Sequence, residues 1–231
     1  MKKAYEKNLV ENIYKNIPVS YEKMLEFLQG DDFEQKHFAL TFINTLKKDE
    51  DIEFFIQNLT GEDTKIRELA SFRINDFILE KNFLMRYLEN EPEILLHAID
   101  DVNPQVCRNI CALLDFSQNK SYFSKRIIEK INVLIEKTKS VKFKSHKVNK
   151  EIFHLYWNFF ALEILITENF EQFPELLNIL EQSINYKDYT IRERVAFLVK
   201  KLEKSGFSQV KIISEKLQND ENFYVKKALV I

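Results

Sequence analysis

The chain has 231 residues, which can bury a sizeable core without disulfide or metal staples. It holds three glycines and four prolines, too little glycine for a nucleotide-binding fold, and its Lys, Glu, Leu, Ile and Phe content favours helices. With 34 basic against 36 acidic residues and a formal net charge of −2, the molecule as a whole is not a strongly basic nucleic-acid binder, although a local patch is compatible with these totals.

Taken in order, Tyr5–Ile17 predicts an amphipathic helix, because Leu9, Val10, Ile13, Tyr14 and Ile17 fall on one stripe. Ser20 caps a helix over Tyr21–Leu28, which Gly30 closes in a left-handed conformation. A helix over Phe33–Leu46 follows, then Asp51–Leu59, ended by Gly61. Asp63 caps a longer helix reaching about Leu79, followed by Phe83–Leu88 and Pro92–Ile99. Pro104 opens the helix carrying Val106, Cys107 and Ile110, and the next runs from about Tyr122 to Lys137. Residues 137–150 read as a long exposed basic loop holding Lys142, Lys144 and Lys147. Beyond it lie helices over Glu151–Ile166, Pro174–Ile184, from Asp188 to Gly206, Phe207–Leu217 and Asp220–Ile231.

One phrase recurs along this series. An acid at the helix start is followed by a basic residue and then by a small or apolar residue three further on. The clearest copies are Asp63-Arg67-Ala70-Ile74 and Asp188-Arg192-Val195-Val199. Anchored on Ala39, Ala70, Ile110, Val195 and Leu229, the copies are spaced by 31, 40, 85 and 34 residues. The spacing of 85 accommodates two units, the degenerate one using the helix around Phe153–Ala161. A period of this length with a helical pair per unit is that of an α-solenoid.

The phrase resembles the HEAT-repeat (armadillo-like) family, over roughly Tyr21–Ile231. That resemblance implies an all-α fold, a right-handed α-solenoid of antiparallel helical pairs, as a single domain over residues 1–231. It also implies that the second helices line a concave binding face. The arginines of the phrase, Arg67 and Arg192, should be partly buried and paired with the acid of a neighbouring unit. Basic residues off that position, Arg73, Arg108, Arg194 and Lys227, are the better partner- or phosphate-binding candidates. Cys107 takes the Arg position in its copy.

The basic loop is either a solvated connection or a contact for phosphates or an acidic protein surface, with Phe143 available for stacking. Trp157, the only tryptophan, sits with Tyr156, Phe159 and Phe160 on one helix, as core or as an aromatic binding group. Paired acids at Asp31–Asp32, Asp49–Asp51 and Asp100–Asp101 coincide with helix ends, where capping and solvation account for them. His37, His97, His146 and His154 lack metal-ligand spacing, so neither a metal nor a cofactor is expected. Cys107 and Cys111 read as reduced, buried thiols.

The first eleven residues lack the apolar segment of a signal peptide, and no apolar run is long enough to span a membrane, so the expected location is cytoplasmic. The apolar ending Ala228–Ile231 implies a docked last helix, a continuing chain or a second copy. The functional expectation is a non-enzymatic scaffold that binds a protein partner through the concave face or the basic loop. The alternative is a DNA-binding HEAT-like protein, with an alkylpurine DNA glycosylase as its enzymatic form. The segment Phe223–Ala228 is similar to one in the HEAT-like alkylpurine DNA glycosylases, although a single Trp and a slightly acidic balance depart from that family.

Overall fold

The structure, a computed structural model, describes residues 18–139 and 149–230. The predicted helix over Tyr5–Ile17 and the candidates Lys142, Lys144 and Lys147 lie outside the described residues. The described residues form thirteen α-helices and no strand. They divide into two compact units, Met1–Ala98 and Ile99–Ile231.

In the first unit, α1 (Tyr21–Gln29), α2 (Phe33–Phe42), α3 (Ile52–Gln57), α4 (Thr64–Glu80) and α5 (Met85–Glu89) precede α6 (Pro92–Ile99), which reaches the boundary. Helix α2 packs on α4, and α3 packs on α1, α4 and α5. Phe55 of α3 meets Phe77 of α4 edge-on at 5.1 Å, inside a core that includes Leu40, Ile52, Ile74 and Ile78.

The second unit holds α7 (Pro104–Leu113), α8 (Lys120–Lys139), α9 (Lys150–Leu165), α10 (Phe173–Ser183), α11 (Tyr189–Lys204), α12 (Lys211–Gln218) and α13 (Phe223–Val230). Its helices form two layers. In one, α7 packs on α9, α9 on α11 and α11 on α13; in the other, α8 packs on α10. Helices α8, α10 and α12 back onto the first row through α9 and α11. The degenerate unit is therefore real, with α9 lying in the row between α7 and α11.

Each second helix starts on a short polar side chain that accepts a free N–H of the first turn, as Asp32, Asp63, Asn103, Asn149 and Asp188 do. A cap of this kind contributes about 1 kcal/mol. Seven residues beyond four of these caps sit Ala39, Ala70, Ile110 and Val195, all fully buried. Four residues beyond the cap lies the basic position of the phrase, and in three copies its residue has the same task. Arg67 Nη1 donates to the carbonyls of Gly61 and Glu62 at 2.7 and 2.8 Å. Arg192 Nη1 donates to those of Tyr186 and Lys187 at 2.7 and 3.4 Å. Cys107 does the same with its thiol, which reaches Asp101 O at 3.1 Å. All three reach back six residues and latch the turn between the paired helices.

Arg192 also reaches forward. Its Nε and Nη2 donate to the two oxygens of Asp220 at 2.7 and 3.0 Å, and Asp220 in turn accepts from the Asn222 N–H at 2.8 Å. Both arginines of the phrase are 8% exposed. The acid-to-arginine pairing between units is thus present at Arg192–Asp220.

Several boundaries and roles differ from expectation. Helix α2 ends at Phe42 rather than Leu46, because Arg73 Nε and Nη2 donate to the carbonyls of Leu40 and Thr41 at 2.8 and 2.5 Å and cap its last turn. Gly30 ends α1 in an extended conformation (φ −73°, ψ 178°), whereas Gly206 does take the left-handed one at φ 93°. Helix α8 continues through Lys137 to Lys139 and Lys150 opens α9, so both ends of the expected basic loop are helical. Asp51 and Asp101 are buried, not solvated. Asp51 accepts from Tyr21 Oη at 2.7 Å and Lys48 N at 3.1 Å, and Asp101 accepts from Asn103 N at 2.8 Å. Cys107 and Cys111 are buried free thiols; burial pushes Cys107 up to about 12 and Cys111 well above its ordinary value.

Burial alone would raise the Asp220 carboxyl, but the hydrogen bonds from Arg192 and Asn222 outweigh it and hold the group below the usual carboxylate range. Asp220→Ala, which leaves the buried guanidinium with only the exposed Glu221 at 3.6 Å, is expected to cost about 3 kcal/mol in urea unfolding at neutral pH. A carboxyl lowered by folding stabilises fully above its unfolded value, so this difference should close as pH falls below about 4.

Candidate functional site

The row α7–α9–α11–α13 gathers four residues singled out from the sequence: Arg108 on α7, Trp157 on α9, Arg194 on α11 and Lys227 on α13. Arg73 lies in the first unit, where its donors serve as the α2 cap and its remaining ion pair is with Asp76 at 3.5 Å. Arg108 is exposed, and Lys227 is exposed with its ammonium 6.0 Å from the Phe223 ring.

Helix α9 departs from the phrase at both diagnostic positions. Four residues beyond its cap, Asn149, stands Phe153 instead of Arg or Cys, and seven beyond stands the half-buried Tyr156 instead of a small or aliphatic residue. A ring at the second position cannot allow the close helix approach that Ala70 permits. It is instead roofed by Arg194 of α11. The guanidinium carbon lies 4.8 Å from the Tyr156 ring centroid, 5.2 Å from Phe160 and 4.6 Å from Phe197. Such a stack holds the planar cation in a fixed orientation.

Trp157 belongs to the core side of this cluster. It is 7% exposed, and Phe153, Tyr156 and Phe160 meet it edge-on with centroids 6.2, 5.4 and 5.5 Å away. Its ring is therefore not offered to a ligand, and it does not form the tryptophan-bearing cleft that the glycosylase resemblance would require.

Glu163, two turns along α9 from Tyr156, accepts from Arg194 Nη1 at 3.3 Å. Burial pushes its carboxyl up, against the pull of Arg194 and Lys201. The seam between α9 and α11 thus pairs the Arg194 guanidinium with one carboxylate. Sequence reasoning missed Glu163 and Phe197. Their spacing, seven from Tyr156 and three from Arg194, was the available signal.

On its other flank, α9 builds a polar joint. Asn158 Nδ2 donates to Asp100 Oδ1 at 2.6 Å and to His154 O at 2.8 Å, and Lys130 of α8 pairs with Asp100 at 2.9 Å. His154 Nε2 is buried without a hydrogen-bond partner, as is Trp157 Nε1. Among the described residues no group of three or more His, Cys, Asp or Glu side chains is placed to hold a metal ion, and no helix is long and apolar enough to cross a membrane. In the first unit a cleft is lined by Thr45, Leu46, Phe77, Glu80, Lys81 and Leu84, and its lysine pairs with Asp49 at 3.2 Å.

Burial pushes the His154 imidazole below its ordinary value, against the pull of Asp100. The unfolded chain then takes up a proton that the folded chain refuses. Stability should fall as pH drops through the ordinary His range, about 6.5, toward the lower folded value. Urea midpoints measured on either side of that range should diverge in the natural protein and lose this part of the divergence in His154→Gln.

No protein-family model and no curated protein sequence matches the chain. Among solved structures, a designed armadillo repeat protein in complex with the peptide (KR)4 is similar at 15% identity and a TM-score of 0.51, covering 92% of this chain and 97% of that one. The complex of CpcE and CpcF of phycocyanin lyase from Nostoc sp. PCC7120 is similar at 12% identity and a TM-score of 0.52, covering 92% and 75%. These likenesses concern the fold, and with the layered helical pairs described above they make the chain an all-α helical-repeat solenoid.

Proposed function

We propose that the chain is a repeat scaffold that binds a protein partner across the row α7–α9–α11–α13. The observation that carries this reading is the composition of that row. Helices α7 and α13 bear Arg108, Lys226 and Lys227 and no carboxylate, and α11 bears five cations to two carboxylates. Between them α9 presents half-buried Phe153, Tyr156 and Phe160. Aromatic and arginine side chains on a rigid helical surface suit protein contacts. The fold supports the same reading: the designed armadillo neighbour holds a peptide, and CpcE is paired with CpcF.

Two features favour protein over DNA. The formal net charge of −2 weakens long-range attraction to a polyanion, and the single Trp is packed inward. Photo-crosslinking residues placed at Arg108 and Lys227 in expressing cells should each yield the same discrete, nuclease-resistant adduct, whereas one at Lys216, on α12, should not. Equal adducts at all three positions, or nuclease-sensitive ones at the first two, would overturn the reading.

A further inference from the structure

The seam between α9 and α11 allows a sharper statement about what the row recognises. Two arginines two residues apart on α11 are used in opposite ways. Arg192 is engaged in hydrogen bonds on all three of its nitrogens, with Asp220 and with the carbonyls of Tyr186 and Lys187. Arg194 is held as firmly, but by ring faces. Of its five N–H donors, only those on Nη1 meet a protein acceptor among the described residues, and that contact is a long 3.3 Å. Its Nε is buried without a partner.

A guanidinium oriented by Tyr156, Phe160 and Phe197 with Nη2 lacking a protein acceptor is preorganised for a planar, bidentate anion. Lys201, two turns further along α11, adds a further positive charge to that helix. Glu163 supplies one oxygen to Arg194, and burial disfavours its charge, so it is a weak internal competitor for the position.

We infer that Arg194 is the anchor for a side-chain carboxylate of an acidic protein segment, with Glu163 as the internal group that the incoming carboxylate displaces. This rests on the protein-binding reading of the row. The occupant follows from charge and shape. The row has a cationic excess on α7, α11 and α13, and the fork of Arg194 matches a carboxylate. The neighbouring rings are half-buried, and the Arg194 guanidinium covers faces on which bases would stack.

The test uses the full chain and two short fluorescein-labelled peptides, one rich in Glu and Leu and its twin with every Glu replaced by Gln, followed by fluorescence anisotropy. The Glu peptide should bind about tenfold tighter than its twin, and Arg194→Lys should remove about that factor. Glu163→Gln should strengthen binding of the Glu peptide about threefold, because it removes the competitor. A purely structural role for the pair would not produce that gain. Equal binding of both peptides, no binding of either, or a loss in Glu163→Gln overturns the anchor. Tighter binding of a single-stranded oligonucleotide than of the Glu peptide overturns it as well. If crosslinks form from α7 and α13 while the peptides fail to discriminate, the row reading stands and only the anchor falls. If no crosslinks form, the row reading itself fails.

Discussion

The fold rests on a latch. In three of the second helices the residue four positions beyond the cap turns back and donates to the carbonyl six residues before it, tying the helix to the turn that precedes it. Arg67 and Arg192 do this with a guanidinium and Cys107 with a thiol. Carbonyls in a tight inter-helix turn have no ladder partner of their own, and a hydrogen bond from a charged donor to one contributes about 1.5–3 kcal/mol. Where it is present, the latch ties the start of the second helix to the turn before it. Apolar stripes on successive pairs meet, and the small or apolar residue seven beyond the cap sets how closely they approach.

The latch also explains why the architecture was legible from one sequence. Its parts are local: an Asp or Asn cap, a donor four residues on and a compact residue three further. Five copies of such a phrase specify helix starts, hence the pairing of helices, hence a layered array. Helix ends were less legible because their causes are remote. Nothing near Phe42 announces that Arg73, more than thirty residues away, will cap its last carbonyls. The extended Gly30 and the buried Asp51 belong to the same class. A composition rule assigned each a common role, and a distant partner such as Tyr21 gave Asp51 another.

The candidate site was half legible. Arg108, Arg194, Lys227 and Trp157 stood out as basic residues off the latch position and as an aromatic exception, and all four do fall on one row. What the sequence concealed was the division of labour among them. Trp157 is a core residue, Tyr156 takes the position where neighbours keep Ala, Ile or Val, and Arg194 lies across the resulting ring surface. Degeneracy in the repeat and preorganisation of the cation are one event: the unit that abandons the phrase at Phe153 and Tyr156 is the unit that supplies the aromatic bed. Glu163 could be found only by pairing helices, since its partner lies on α11 rather than on its own helix.

The forward half of the Arg192 contact has a consequence for how the molecule opens. Helix α13 is short, eight residues, and exposes Phe223, Tyr224 and Val230, so taken alone it should fray. Asp220 sits just ahead of it, and both of its oxygens are held by α11. Releasing α13 therefore means breaking a doubly bonded ion pair on a helix in the middle of the row. Opening of α13 carries the cost of this ion pair besides that of its own backbone bonds, so its amide protons are better protected than those of a short, exposed helix without such a tie.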